Sequence, residues 1–440
     1  MALRTRALTV LTVVVLLGAA ACGQKSGVAG TAVQADGGGT SSGGTSGGGT
    51  ATTDSGGGGG GKHKAGPDDK VGITDNEIVI GVHAPVTGAS PIPQKSFDVG
   101  KDIYWQFLAQ SDPQALGGRK VRVVFRDDEF NPRRAVQVCR EMVENEKAFV
   151  LVGGGGADQI TACAKYAADN GVPYFSAGVN EEGLADLATY YALSLTYAQQ
   201  APLIAQHLKD EGVKKVGILV QDTPTFGDGH DAFTKAAKKA GLDVVSDEKI
   251  SKSAGEAEAL ASIQKLKSAD AETVFLITSP VIYLALANAA RNQNYEPGFI
   301  GPGITSGLNQ VLTFGCPAVG KGEFFSPFPE LDVIPQLDPD YIPSYEKFGG
   351  GAQADDIGLA LWGLNKGIRA AFDLAGDDLG RASLMNAVEN GQSIQTGVYP
   401  DTKYTPQDHF GGTGAHLLKA DCDAKQYSTE QQFVEAQGGE

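Results

Sequence analysis

From Ile78 onward the chain alternates short β-rich runs with helical stretches, and that alternation restricts the fold more than any other feature. Ile78–Pro85 reads as a strand running into the turn Pro85-Val86-Thr87-Gly88, and a helical stretch follows over Phe97–Leu108. Val121–Asp127 is a second strand. Asn131-Pro132 then supplies a cap and a proline at the first helical position, which starts a helix through Glu144. Strand Ala148–Val152, the break Gly153–Gly156, a helix over Asp158–Asn170 and strand Val172–Ala177 complete one unit. The pattern then restarts, with helix Ala198–Glu211, strand Lys215–Gln221, helix His230–Ala240 and strand Asp243–Ile250. Helix Glu256–Ser268, strand Thr273–Thr278, helix Ile282–Gln293 and strand Gly298–Pro302 finish the second unit. Strand and helix alternating at this spacing give an α/β fold with two doubly wound parallel-sheet lobes. Helices over Asp355–Ala375 and Leu379–Asn390 come late, so the late segments are expected to return to each lobe, with ligand capture between the two.

The N-terminus restricts where such a body works. Arg4 and Arg6 precede an apolar run, Leu8–Leu17, and then Gly18, Ala19, Ala20 and Ala21 stand before Cys22. A basic start, a short apolar core and small residues at the cut make an export signal over 1–21, and the run is too short to span a bilayer as a stable helix. The cysteine directly after the small residues resembles a lipobox, with Ala19 where leucine is usual; this implies lipidation of Cys22 and a place on the outer face of the membrane. The alternative is cleavage after Ala21 and a secreted soluble protein. Glycine runs at Gly37–Gly39, Gly47–Gly49 and Gly56–Gly61, mixed with Ser and Thr, make residues 22–70 a flexible tether that cannot bury enough surface to order itself. Overall, 36 basic against 52 acidic residues give a net charge of −16, without any basic run. That balance argues against nucleic acid and against an anionic membrane surface as partners.

Five cysteines are odd in number, but a lipidated Cys22 leaves Cys139, Cys163, Cys316 and Cys422, and two disulfides are natural in an exported chain. Of the three connectivities, Cys139–Cys163 with Cys316–Cys422 is favoured. In a sheet ordered 2-1-3-4-5, right-handed crossovers place the helices after strands 2 and 3 on one face, and these carry Cys139 and Cys163. The second pair then follows by elimination.

Ile78–Gly88, Gly117–Asp128, Asn131–Val136, Phe226-Gly227-Asp228-Gly229 and Phe299–Pro302, in this order and spacing, resemble the type I periplasmic binding proteins, in the leucine/isoleucine/valine-binding branch that serves ABC importers. The resemblance spans most of Asp75 to His416. It implies two lobes joined by a hinge of three crossovers and closing on a small-molecule ligand, an ABC permease as partner, a monomer, and no cofactor or metal. The implied organisation is a first lobe over 71–195 and 321–404 and a second over 196–320 and 405–440. Ligand contacts carried over by position are Thr87, Gly155, Gly156, Ala157, Asp158, Ala177, Gly178 and Asn180 from the first lobe. Phe226, Ser279 and Gly303 come from the second. Gly303 stands where amino-acid binders of the branch often carry an acid for the ligand ammonium. The resemblance therefore points away from a plain branched-chain amino acid, towards a ligand without a free ammonium or one held by Asp158 or Asp222.

Other chemistry finds little support. Gly153–Gly156 lacks the full dinucleotide fingerprint, and no acid ends the next strand. His-Glu-x-x-His, G-x-S-x-G and CxxC are all missing from the body of the chain after residue 70. His83 reads as a partly buried histidine bonded to backbone, and Asp127-Asp128-Glu129 as a solvated or capping strand-end loop. An exported enzyme on this scaffold is thus the less favoured reading, and an extracytoplasmic ligand sensor is the main alternative to transport.

Overall fold

The alternation is realised in two parallel sheets in the computed structural model, which describes residues 62–178 and 183–436. The export signal, Cys22, the tether up to residue 61 and Asn180 lie outside the described residues. The first lobe runs β1 (Glu77–Ala84), α1 (Gln94–Ser111), β2 (Lys120–Asp127), α2 (Pro132–Glu144), β3 (Val150–Gly153), α3 (Ala157–Asp169), β4 (Tyr174–Ser176) and β5 (Tyr190–Ala192). Its sheet is parallel throughout in the order β2-β1-β3-β4-β5. β1 lies inside it, with Ile80 opposite both Val123 and Val150, which is why Ile78, Val79, Ile80 and Val82 form an unbroken buried run.

The second lobe runs α4 (Tyr197–Asp210), β6 (Lys215–Gln221), α5 (Gly227–Ala240), β7 (Asp243–Ile250), α6 (Glu256–Ser268), β8 (Thr273–Ile277), α7 (Pro280–Asn292), β9 (Gly298–Pro302), the single turn α8 (Gly303–Ser306), α9 (Asn309–Gly315) and β10 (Gly322–Ser326). The chain then returns to the first lobe through α10 (Ile334–Leu337), α11 (Tyr341–Phe348), α12 (Asp356–Ala375), α13 (Arg381–Val388) and a small ribbon, β11 (Ser393–Ile394) with β12 (Thr402–Lys403). It ends in the second lobe as the hairpin β13 (Gly414–Asp421) and β14 (Gln426–Glu435). The second sheet is ordered β14-β13-β10-β9-β8-β6-β7, with β13 and β14 antiparallel.

Local signals explain the element ends. The Asn131 side chain accepts from the backbone N–H of Arg133 (2.9 Å) and Arg134 (3.3 Å), and Pro132 opens α2. Thr196 and Gln199 cap α4 reciprocally. α12 covers one face of the first sheet: Trp362 packs edge-on against Tyr104 of α1, ring centres 5.1 Å apart, and its indole N–H donates to Asp338 at 2.8 Å. α2 and α3 cover the opposite face, joined by Cys139–Cys163 with Cα atoms 6.1 Å apart. Cys316–Cys422 ties the end of α9 to the turn after β13, with Cα atoms 5.5 Å apart.

The chain changes lobes later than the sequence suggests. β10 pairs with β9, so the second lobe holds the chain to Ser326 rather than to residue 320. Residues 409–411 still belong to the first lobe, where Ala192 N–H donates to His409 and Gly411 N–H donates to Ala192, both at 3.0 Å. The expected coil over 22–70 also needs correction at its C-terminal end. The Asp69 backbone carbonyl accepts from Arg381 N–H at 2.8 Å and its carboxylate from Ala382 N–H at 2.8 Å, which caps α13. His63 exchanges bonds with Asn386 and meets Glu389 at 2.8 Å. Polarity alone signalled coil there, because these residues pair through hydrogen bonds rather than apolar contact.

Candidate functional site

A cavity of about 130 Å³ lies between the lobes. Its first-lobe wall begins at the end of β3, where Gly153–Gly156 break the strand and start α3. Gly156 takes φ +79° as the residue before the helix, a conformation that favours glycine. A Cβ at Gly155 would lie 2.5 Å from Ile92 Cδ1, so the turn fits closely under the loop that leads into α1. The first-turn N–H groups of α3 have no side-chain cap and open on the cavity wall.

Asp158 is the one charged side chain among the described residues that line the cavity, and it is already engaged. Its Oδ1 accepts from Thr223 Oγ1 at 2.9 Å and from Thr225 Oγ1 at 2.7 Å. Both threonines follow β6, so these bonds run from one lobe to the other. Nearby, Gln221 Oε1 accepts from Ser279 N–H at 3.2 Å, and Phe226 packs edge-on against Tyr197 with ring centres 5.7 Å apart. Burial pushes the Tyr197 hydroxyl up out of its ordinary range, reinforced by Asp228 and Asp158. The rest of the wall is mostly apolar: Pro85, Ile92 and Phe130 at the first lobe, Ile304 and Leu308 at the second, and Ile357, Ala360, Leu361 and Leu364 along α12.

Hydrogen bonds to an ionised acceptor contribute about 1.5–3 kcal/mol each. Valine at both Thr223 and Thr225 is therefore expected to shift the lobes towards a more open arrangement. Small-angle scattering should report a larger radius of gyration for the double variant; an unchanged radius would show that these bonds do not hold the lobes together.

The structure brings Gly155, Gly156, Ala157, Asp158, Ala177, Gly178, Phe226 and Ser279 to this cavity. It places Thr87 and Gly303 elsewhere. Thr87 Oγ1 donates to Asp127 Oδ2 at 2.5 Å and fixes the strand-end turn. A Cβ at Gly303 would lie 3.0 Å from Ser326 Cβ and 3.1 Å from Phe325 O, so a side chain there would press on β10. Asp222 is exposed and off the cavity lining, and Asn180 is outside the described residues. Sequence reasoning missed Gln221, Thr223, Tyr197, Phe328, Tyr399 and the α12 residues. The α12 set does recur at i, i+3, i+4 and i+7, but that spacing equally describes a helix facing an ordinary core.

Two readings beside the cavity change. Asp128 is fully buried, so of its two alternatives only capping remains, its Oδ1 accepting from Phe130 N–H at 3.1 Å, and His83 is fully buried between side chains rather than bonded to backbone. His83 Nδ1 lies 2.7 Å from Asp128 Oδ2 and Nε2 lies 2.8 Å from the Tyr174 hydroxyl. His83 also lies beside Cys139 and Cys163, but those sulfurs are bonded to each other.

Comparisons with known proteins agree with this architecture. The profile of the periplasmic binding protein family matches residues 77–426. An amino acid binding protein of Pseudomonas aeruginosa is 26% identical over 312 residues, covering 68% of this chain and 79% of its own. Among solved structures, a solute binding protein of an ABC transporter from Rhodopseudomonas palustris, in complex with 3,4-dihydroxybenzoic acid, superposes with a TM-score of 0.70 at 18% identity. It covers 82% of this chain and 98% of its own. A fatty acid ABC transporter substrate-binding protein from Thermomonospora curvata gives 0.69 at 19% identity, covering 85% and 97%. With two parallel-sheet lobes around a shared cavity and a family match over most of its length, this chain belongs to the periplasmic binding proteins of type I, a family of solute-binding proteins.

Proposed function

We propose that this protein is the solute-binding component of an ABC importer, which captures a small solute between its lobes and delivers it to a membrane permease. The observation that carries the reading is the interlobe cavity, with Asp158 bonded across it to Thr223 and Thr225. Closing two walls on a ligand removes it from water and matches its polar groups to fixed partners, which is how such a site selects. The protein works outside the cytoplasm, held at the outer face of the membrane by a lipid on Cys22. An intact mass of the membrane-extracted protein without a lipid adduct would remove that part of the proposal.

The ligand is not a plain branched-chain amino acid. The described lining offers an α-ammonium a single acid, Asp158, whose Oδ1 already takes two hydroxyls. The relatives whose structures are cited include binders of a dihydroxybenzoic acid and of fatty acid, ligands without an ammonium. A thermal-shift panel of amino acids, amides, aromatic acids, aliphatic acids and sugars tests this directly. A binder at a hundred times its Kd should stabilise by about 2.7 kcal/mol, with the compound recovered unchanged. Stabilisation by leucine, isoleucine or valine would overturn the ligand assignment, and turnover of the bound compound would overturn the binding-protein reading.

A further inference from the structure

The cavity is walled by the return of the chain to the first lobe as well as by the two parallel units. Ile357, Ala360, Leu361 and Leu364 place one continuous face of α12 on its wall, and Phe328 and Tyr399 line it too. From Ile357 to Leu364 that face is about 10 Å long at 1.5 Å per residue. None of these six side chains is charged, the Tyr399 hydroxyl donates to Ala360 O at 3.0 Å, and the other polar side chains on the wall, Ser90, Asp158, Gln159, Tyr197, Gln221, Thr223, Ser279 and Gln310, all lie off α12. The buried Gln159 adds an Oε1 without a hydrogen-bond partner among the described residues. The cavity wall is therefore mixed, with the one charged group and the unpartnered amide at the start of α3 and an apolar run along α12.

We infer that the ligand is an amphiphile whose polar head sits at the α3 end and whose extended apolar tail lies along α12. This rests on the solute-binding reading and names the ligand class within it. A staggered alkyl chain advances about 1.3 Å per carbon, so the α12 face accommodates about eight carbons. The tail gains affinity by burying methylene groups against side chains that have no polar demand of their own.

The test is a chain-length series on the purified full-length protein, using sodium butyrate, hexanoate, octanoate, decanoate and dodecanoate. The matching primary alcohols serve as a second series, which separates the tail from the charge of the head. Affinity by calorimetry should rise roughly three- to fourfold per added methylene up to about eight carbons, then level or fall. Ala360→Leu adds a side chain to the α12 face and should move the optimum to shorter chains, whereas a merely structural effect would weaken all lengths alike. Melting of the ligand-free variant checks that it folds, and the wild-type series stands without it. A response independent of length in both series, or binding confined to short polar solutes, overturns the inference. If another compound of the wider panel still binds, only the tail assignment falls; if nothing in either set binds, the solute-binding reading falls with it.

Discussion

Serine at both Cys316 and Cys422 is expected to lower stability by about 4–5 kcal/mol, because the bridge closes a loop of about a hundred residues in the unfolded chain. The actual separation is 106 residues. Within that loop lie β10, the whole first-lobe return and β13, so its removal leaves the second lobe's closing hairpin tied to α9 only by noncovalent contacts such as Tyr427 N–H to Asn309 Oδ1 at 2.7 Å. Urea unfolding of the oxidised wild type and the double variant measures the difference. A loss below about 1 kcal/mol would mean that packing of β13 and β14, not the bridge, restricts this segment. The Cys139–Cys163 bridge spans only 24 residues and should contribute about 3 kcal/mol on the same argument.

Glu330→Gln is expected to stabilise the protein at pH 8 and to change little at pH 4, on the linkage between pKa and stability. Glu330 and Asp356 are both buried where the chain passes between lobes, and Asn309 bridges them. Its side-chain amide donates to Glu330 at 2.9 Å and its backbone N–H to Asp356 at 2.7 Å. Glu330 Oε1 has no partner among the described residues. Burial, then the neighbouring Asp356 and Asp332 carboxylates, holds the Glu330 carboxyl well above its usual range against the Asn309 bond. Burial likewise pushes Asp356 up to about 7, with Asp355 adding to it. Tyr427, Tyr341 and Tyr345 are the other titratable groups that feel these acids, and none is cationic. A carboxyl whose folded pKa is raised leaves stability intact below its unfolded value near 4 and erodes it as pH rises towards its folded value. Glutamine keeps the acceptor for Asn309 and removes the ionisation, so its benefit should appear only on the alkaline side. An equal loss at pH 4 and pH 8 would assign Glu330 a purely packing role.

The parallel core was legible because its signals are local. Asn131-Pro132 marks the start of α2, and strands such as Lys215–Gln221 and Gly298–Pro302 fall where the apolar runs place them. β14 escaped because its residues, Gln426–Glu435, are largely polar and exposed; they pair through the backbone with β13 and leave little hydrophobic pattern. The first-lobe turn Gly155–Asp158 was readable as a break between strand and helix, and it lines the cavity. Position alone does not show that a Cβ at Gly303 would press on Ser326 and Phe325 of β10. The α12 face could not be read as a wall at all. Whether a helix stripe meets core or cavity depends on what stands opposite, and that is set by a return of the chain from the other lobe.

That return also fixes the order in which the molecule can be assembled as it emerges from the ribosome N-terminus first. When β5 has emerged, the first sheet has only α1 on the side that α12 will cover, and Phe149, Phe175 and Tyr191 of that core face open solvent. Their cover arrives only after the whole parallel part of the second sheet has passed through. The nascent first lobe must therefore wait with exposed apolar surface, a state that invites aggregation or holding by a chaperone. Folding yield should consequently depend on the speed of synthesis through residues 196–356 more than on the stability of the finished fold.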